Sequence, residues 1–214
     1  MVNPNTSGFW DKKIFEEKIK LLKSPIYIDK NRHVASLLRA SKGKLLDLGF
    51  GYGMLEDLLS KHVTELDLFG MDISKSAVRD IRLKVDGKFI VGNAKKIPFG
   101  SIFFDYVVAL DILEHFRINE INMILPEVRR VLRTGGIIIV SVPVNEGRKD
   151  SMLNKHMISF SKASISDLLE KYLFRVEKTK LLFAFRNKYF IKSLFARVFK
   201  IRKPNLIILL ARKV

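Results

Sequence analysis

Apolar and polar positions alternate along this chain in blocks that change period. KLLDLG, ELDLFGMDI, KFIVGNA, FFDYVVALDI and GGIIIVSVPV are short apolar runs with no clear polar face. Such runs read as strands buried on both sides. Between them, MLEDLLSKH, SKSAVRDIRLKV and INEINMILPEVRRVL carry apolar residues at helical spacing. Ser74 is placed to cap the second of these helices, and Pro126 is expected to bend the third or start a new turn. Two further helices are expected ahead of the first strand, over Asp11 to Leu22 and Asp29 to Ala40, with Pro25 in the break. The chain ends on a helix in SKASISDLLEKYLF, then two strand-like runs, RVEKTKLLFAF and NLIILLARKV. Strands separated by helices imply a mostly parallel sheet covered on both faces, and the last two runs suit a closing hairpin at its edge.

The first strand runs into LLDLGFGYG, where Gly49, Gly51 and Gly53 alternate. A glycine-rich turn at the carboxyl edge of a parallel sheet lies in the crevice where such sheets take ligands. Without a Cβ, the backbone there can approach a small molecule closely. The spacing fails the dinucleotide fingerprint in both registers, since Met54 or Glu56 falls where its last glycine belongs. No Gly-Lys-Ser/Thr follows, so it is not a phosphate-cradling Walker loop either. Asp47, at the strand end, suits a ligand with a positive charge such as an ammonium or a sulfonium.

With these residues in view, the chain resembles the Rossmann-like class of S-adenosylmethionine-dependent methyltransferases. LLDLGFGYG looks like that family's first motif, and the resemblance continues in order from Gly43 to Pro143. It implies a three-layer sandwich with a seven-stranded, mostly parallel sheet, a C-terminal antiparallel edge hairpin and an N-terminal helical extension. It also implies S-adenosylmethionine as cofactor, held by Asp47, Gly49, Phe50, Gly51 and Gly53. Asp72, in GMDIS, would take the ribose hydroxyls, with Ile73 beside it. Asn93 and Ala94 would meet the adenine, and Asp111, Ile112 and Leu113 would line the cofactor under the fourth strand. The family usually has aspartate where this chain has Asn93, which offers an amide rather than two anionic oxygens. By the same resemblance, residues 1–42 form a helical extension and lid bearing Phe9, Trp10 and Tyr27. Residues 43–143 form the cofactor core, and residues 144–214 the acceptor side of a single domain.

The implied reaction displaces the sulfonium methyl, and a hydroxyl acceptor benefits from a general base. The candidate bases are His115, in LDILEHF, and His156, in NKHMISFSK. Asp111, Glu114 and His115 are also similar to the E-x-x-E-H triplet with which quinone-precursor O-methyltransferases hold magnesium. They are therefore candidate metal ligands, although the LEH fragment occurs in metal-independent relatives as well.

Composition narrows the partners. The 214 residues contain no cysteine, which excludes disulfides, thiolate metal sites and thiol nucleophiles. The first residues lack the apolar core of a secretory signal, and no apolar run reaches the ~18 residues that span a bilayer. The expected location is cytoplasmic. The formal charge is +17, and no acidic residue follows Glu177. Eleven basic residues lie between Lys178 and Val214. Within this tail, residues 187–203 read as an amphipathic helix: Phe190, Ile191, Leu194, Phe195 and Val198 share one face, while Lys188, Lys192 and Lys200 lie elsewhere. That pattern suits an apolar stripe packed on the sheet, or a helix lying in a membrane interface at the inner face. Aromatic and basic residues together also allow nucleic acid as a partner, though no recognition motif accompanies them. The resulting expectation is O-methyl transfer to a small-molecule, sugar or lipid-linked acceptor. An RNA methyltransferase and a non-catalytic nucleoside-binding module are the alternatives.

Overall fold

The computed structural model, which describes residues 6–185, 189–199 and 203–214, joins seven strands into one sheet. They are β1 (Gly43–Leu48), β2 (Leu66–Asp72), β3 (Lys88–Val91), β4 (Phe104–Leu110), β5 (Leu132–Pro143), β6 (Phe174–Leu182) and β7 (Leu206–Lys213). Their order across the sheet is β3-β2-β1-β4-β5-β7-β6. The first five pair in parallel, and β7 enters antiparallel between β5 and β6. The closing hairpin is therefore present, with β6 at the edge and β7 inside. This position explains the composition of β7: residues 206–211 are all buried, as a strand covered on both faces requires.

Side chains on each strand alternate between two cores. Leu46 and Leu48 join one core with Ile138, Val140, Ile207 and Leu209. Helices α5 (Ile118–Val131) and α7 (Lys162–Lys171) close it through Ile121, Ile124, Leu125, Ile165 and Leu169. Leu45, Val108, Ile139 and Ile208 face the other side. There they meet α1 (Ser7–Leu22), α2 (Pro25–Leu37), α3 (Met54–His62) and α4 (Lys75–Arg82). The result is three layers, helix on sheet on helix. Each fully buried Leu or Ile contributes about 1.5–3 kcal/mol.

Local rules account for the helix limits. Thr6, Ser74 and Ser161 cap α1, α4 and α7 with side-chain oxygens that accept backbone N–H groups. Pro25 opens α2 at its first turn, where a missing N–H costs nothing. Pro126 does not end α5, which runs through it from Ile118 to Val131. Pro126 and Asn122, whose carbonyl it leaves without an intrahelical donor, both lie on the exposed side where water replaces the lost bond. Helices α6 (Arg148–Asn154) and α8 (Tyr189–Phe199) complete the chain. Asn187, Lys188 and Lys200 of the basic segment lie outside the described residues. No helix among the described residues is long and apolar enough to cross a membrane.

Candidate functional site

The strand order reverses between β1 and β4, and at their carboxyl ends the crevice opens into a cavity of about 370 Å³. Its floor is the glycine turn. Gly49, Gly51 and Gly53 have φ of 75°, 55° and 71°, a region that side chains with a Cβ seldom enter. The three are not equivalent. A Cβ on Gly49 would stand 2.5 Å from Ile112, and one on Gly53 2.3 Å from Ile81. A Cβ on Gly51 would meet nothing within 4 Å, because it points into the cavity that Gly51 lines. Phe50 also borders the cavity but turns its ring onto Phe89, 5.5 Å between centroids.

Two acidic residues stand behind this turn. Asp72, at the end of β2, accepts the Gly51 N–H at 2.9 Å and the Ser74 N–H at 2.8 Å, which holds the turn against the second strand. Asp47 is buried at the end of β1 beside Glu56 of α3. Burial pushes Asp47 up to about 6. Burial, reinforced by the Asp47 charge, drives Glu56 well above the usual carboxyl range. Glu56 therefore keeps its proton, and Asp47 Oδ1 and both Glu56 carboxyl oxygens are buried with no hydrogen-bond partner among the described residues. Ile73, Asn93 and Ala94 line the next wall. The Asn93 Oδ1 accepts the Lys95 N–H at 3.0 Å, a local turn that spends one of its acceptors.

The end of β4 departs from expectation. Asp111 lines the cavity with Ile112 and sits at φ 54°, its N–H given to the Ser141 carbonyl at 3.0 Å. Its carboxylate is taken by the Lys30 ammonium of α2 and the Ser141 hydroxyl. Burial alone would raise Asp111, but the Lys30 charge and these bonds outweigh it and hold the group below its ordinary value. Lys30 is 2% exposed, with its ammonium 4.6 Å from the Tyr27 ring centroid. Asp111 is thus a paired anion, and the expected Asp111, Glu114 and His115 metal set is not assembled. Leu113 turns into the core rather than toward the cavity.

Helix α1 covers the opening. Asp11 accepts hydrogen bonds from the Ser74 hydroxyl at 2.6 Å, and from the Ser76 hydroxyl and N–H at 2.8 and 3.0 Å. Helix α1 is thereby tied to the first turn of α4. Trp10 and Tyr27 line the cavity; Phe9 does not, and packs edge-on against Trp10. Trp10 also lies edge-on to His115, 4.7 Å between centroids.

Both candidate bases reach one end of the cavity. The Glu114 carbonyl accepts the Met157 N–H at 2.7 Å, tying the turn after β4 to the loop that carries His156. The two imidazoles sit 4.9 Å apart. Burial, with His156 and Lys13 adding to it, pushes His115 down to about 3, so it stays neutral. His156 has a different partner: its Nδ1 lies 2.6 Å from Glu146 Oε2, with both side chains about nine-tenths buried. Glu114, His115 and His156 bring one possible ligand atom each within 4.8 Å of one another. This cluster differs from the expected metal set by gaining His156 and losing Asp111. Burial, helped by the Asp111 charge, raises Glu114 well above the usual carboxyl range, and a protonated carboxyl is a poor ligand.

Glu146, Glu56, Lys30 and Asp11 were not foreseen from the sequence. Lys30 is one of 39 basic residues and has no periodic mark. Glu146 precedes its histidine by ten residues across a helix, so only the fold pairs them.

Comparison with known proteins agrees with this geometry. Residues 46–140 match the family model described as a methyltransferase domain. A demethylmenaquinone methyltransferase of Thermotoga maritima is 33% identical over 123 residues, 56% of this chain and 52% of its own. The chain thus spans about half the length of that relative. A protein of Methanocaldococcus jannaschii is 28% identical over 194 residues, covering 87% of this chain and 78% of its own. Among solved structures, a chain from the Haloferax volcanii complex of the Trm112 methyltransferase activator with a methyltransferase superposes with a TM-score of 0.72. It is 18% identical and covers 95% of this chain and 96% of that one. Phosphoethanolamine N-methyltransferase 2 of Haemonchus contortus, in complex with S-adenosyl-L-methionine, gives 0.71 at 17% identity, covering 98% of this chain and 59% of that one. Strand order, glycine turn and family match converge: residues 46–140 match a methyltransferase domain, set in a fold shared with a methyltransferase that binds S-adenosyl-L-methionine.

Proposed function

We propose that the chain transfers a methyl group to an acceptor hydroxyl, with His156 as the base and Glu146 orienting it. The carrying observation is the 2.6 Å contact between His156 Nδ1 and Glu146 Oε2 in the cavity wall. A carboxylate on one ring nitrogen fixes the tautomer and leaves the other nitrogen to take a proton. An acceptor bearing a hydroxyl fits this arrangement: the oxygen–carbon bond forms as the hydroxyl proton passes to His156 Nε2.

The cavity suits S-adenosylmethionine on its own residues. Asp47 Oδ1 is a buried acceptor without a partner, and its carboxyl, at about 6, is charged at neutral pH. It would hold a cationic amine, beside a turn whose Gly51 leaves open space. Gly49, Phe50, Gly51 and Gly53 would cradle the cofactor, Asp72 and Ile73 the ribose, Asn93 and Ala94 the adenine. Asp111 and Ile112 would line its underside. When bound, the cofactor supplies a methyl on a sulfonium, whose leaving group is a neutral thioether. The rest is alignment and exclusion of water, which Trp10, Tyr27 and the Asp11 tether provide. In this division residues 1–42 act as lid, 43–143 as cofactor core and 144–214 as acceptor region. The acceptor class supported by the cavity is a small-molecule, sugar or lipid-linked hydroxyl.

The test is transfer of labelled methyl to a panel of hydroxyl acceptors, including lipid extracts, by wild-type, His156→Ala and Glu146→Gln chains. General base catalysis is worth about 10²–10⁴-fold, so His156→Ala should lower kcat by that factor and leave the calorimetric affinity for S-adenosylhomocysteine unchanged. Wild-type kcat in His156→Ala would refute the base.

A further inference from the structure

The orientation of α8 points to a partner for this domain: we infer that the helix docks flat on an anionic lipid bilayer. A surface helix normally turns its wide apolar stripe to the core. Helix α8 does the reverse. Its inward residues are Tyr189, Ser193 and Ala196, and the buried Ser193 hydroxyl has no hydrogen-bond partner among the described residues. Phe190, Ile191, Leu194, Phe195 and Val198 are each 52–63% exposed. The alternative in which this stripe packs on the sheet is therefore overturned. A contiguous apolar face of that kind marks an interaction site.

Charge complementarity selects the occupant. The sequence from Lys178 to Val214 has no acidic residue, and Lys192, Arg197, Lys200, Arg202 and Lys203 fall in and just after the helix. Phenylalanine and aliphatic residues enter the acyl boundary while lysine and arginine meet anionic headgroups. A second copy of this chain would bring an equally basic segment against the first, on a molecule of net charge +17, and repulsion opposes that. RNA matches the charge but offers little to Ile191, Leu194 and Val198, since it rewards stacking and phosphate contact. With 11 residues the helix extends only about 16 Å, so it lies in the interface rather than crossing it.

The helix is tied to the cavity lid. The Tyr189 hydroxyl donates to Asp29 Oδ2 at 3.0 Å, and Lys180 lies 3.9 Å from the other oxygen of that carboxylate. Asp29 belongs to α2, the helix that brings Tyr27, Lys30 and Asn31 to the cavity wall. Docking through α8 therefore sets the lid side of the cavity near the bilayer, which favours a lipid-linked acceptor. That consequence rests on the transferase reading; the docking itself does not.

The experiment uses the full chain with vesicles of phosphatidylcholine alone or doped with phosphatidylglycerol. Sedimentation should show binding to the doped vesicles at least about tenfold stronger than to the neutral ones, and weaker at high salt. The double substitution Leu194→Ser with Phe195→Ser, on exposed positions, should weaken it by at least about tenfold while the affinity for S-adenosylhomocysteine holds. Independently, Phe190→Trp should shift its fluorescence to the blue on doped vesicles. Absence of wild-type binding, an unshifted tryptophan, or undiminished binding by the double variant would overturn the docking. So would a dimer in light scattering that the double variant abolishes with no vesicle binding by either form, or capture of a Trm112-like protein in place of vesicles. Vesicle binding without affinity for S-adenosylhomocysteine would support the docking and overturn the transferase reading.

Discussion

Gly51 and Gly53 lie two residues apart with similar backbone angles, yet replacing them by alanine should have opposite consequences. In Gly51→Ala the new methyl meets no atom within 4 Å, so the fold loses only the left-handed preference of glycine at φ 55°. That costs about 1 kcal/mol, which lowers Tm by about 2–4 °C in a domain of this size. In the proposed site the same methyl would occupy the open space that the cofactor needs. Overfilling a fitted site costs about 1–3 kcal/mol, so the affinity for S-adenosylhomocysteine should fall roughly five- to 150-fold. In Gly53→Ala the methyl arrives 2.3 Å from Ile81 Cδ1 in the buried core of α4. Strain and overpacking together reach about 2–4 kcal/mol and should lower Tm by on the order of 10 °C. Differential scanning fluorimetry and isothermal calorimetry on both variants separate the two effects. If Gly51→Ala binds the product as tightly as wild type, the open space above residue 51 is not the cofactor site and the assignment of the glycine turn fails.

Four further substitutions probe the site. Asp11→Ala removes the acceptor for Ser74 and Ser76, so limited proteolysis within α1 should accelerate and product affinity should fall, while the sheet keeps its Tm. The bonds from Ser74 and Ser76 more than offset burial and hold Asp11 at about 2, so the wild-type tether is lost only as pH falls from about 4 toward 2. Glu56→Gln removes a titration whose folded value is raised; wild-type stability falls as pH rises past the unfolded value near 4.5, and the variant keeps only the part of that fall that Asp47 contributes. The Tm difference, variant minus wild type, should therefore grow between pH 5 and 8, and parallel curves would refute the buried acid pair. Lys30→Met leaves the partly exposed Asp111 carboxylate with only the Ser141 hydroxyl, at a cost below the about 3–5 kcal/mol of a fully buried unpaired charge, and adding Asp111→Asn should recover much of it in urea denaturation.

The parts of this molecule legible in the sequence are those where one local rule decides the outcome. Runs apolar on both faces became β1, β2, β4 and β5, because only a covered parallel sheet tolerates them. The glycine turn and the acids at the ends of β1 and β2 were readable because close ligand approach restricts the residue types there. Pairings across the fold were not readable. Asp111 looked like a metal ligand beside Glu114 and His115 until Lys30, 81 positions earlier, supplied its countercharge. His156 was a candidate by type, and Glu146 became its partner only once α6 had folded between them.

Helix α8 shows the deeper reason. A 3.6-residue period states which side chains share a face, and Phe190, Ile191, Leu194, Phe195 and Val198 do share one. It says nothing about which face the rest of the molecule takes. That choice follows from what the neighbouring elements leave to cover. Here the covered space accepts Ser193 and Ala196, small residues that let the helix lie close, and a tyrosine whose hydroxyl needs Asp29. Five large apolar groups are left facing outward, and burying them elsewhere yields the hydrophobic free energy that internal packing did not collect. In the docking inferred above, the same residues that would have stabilised an ordinary core helix serve as the adhesive for a second surface. The reversal is visible only where sequence periodicity and structural burial disagree.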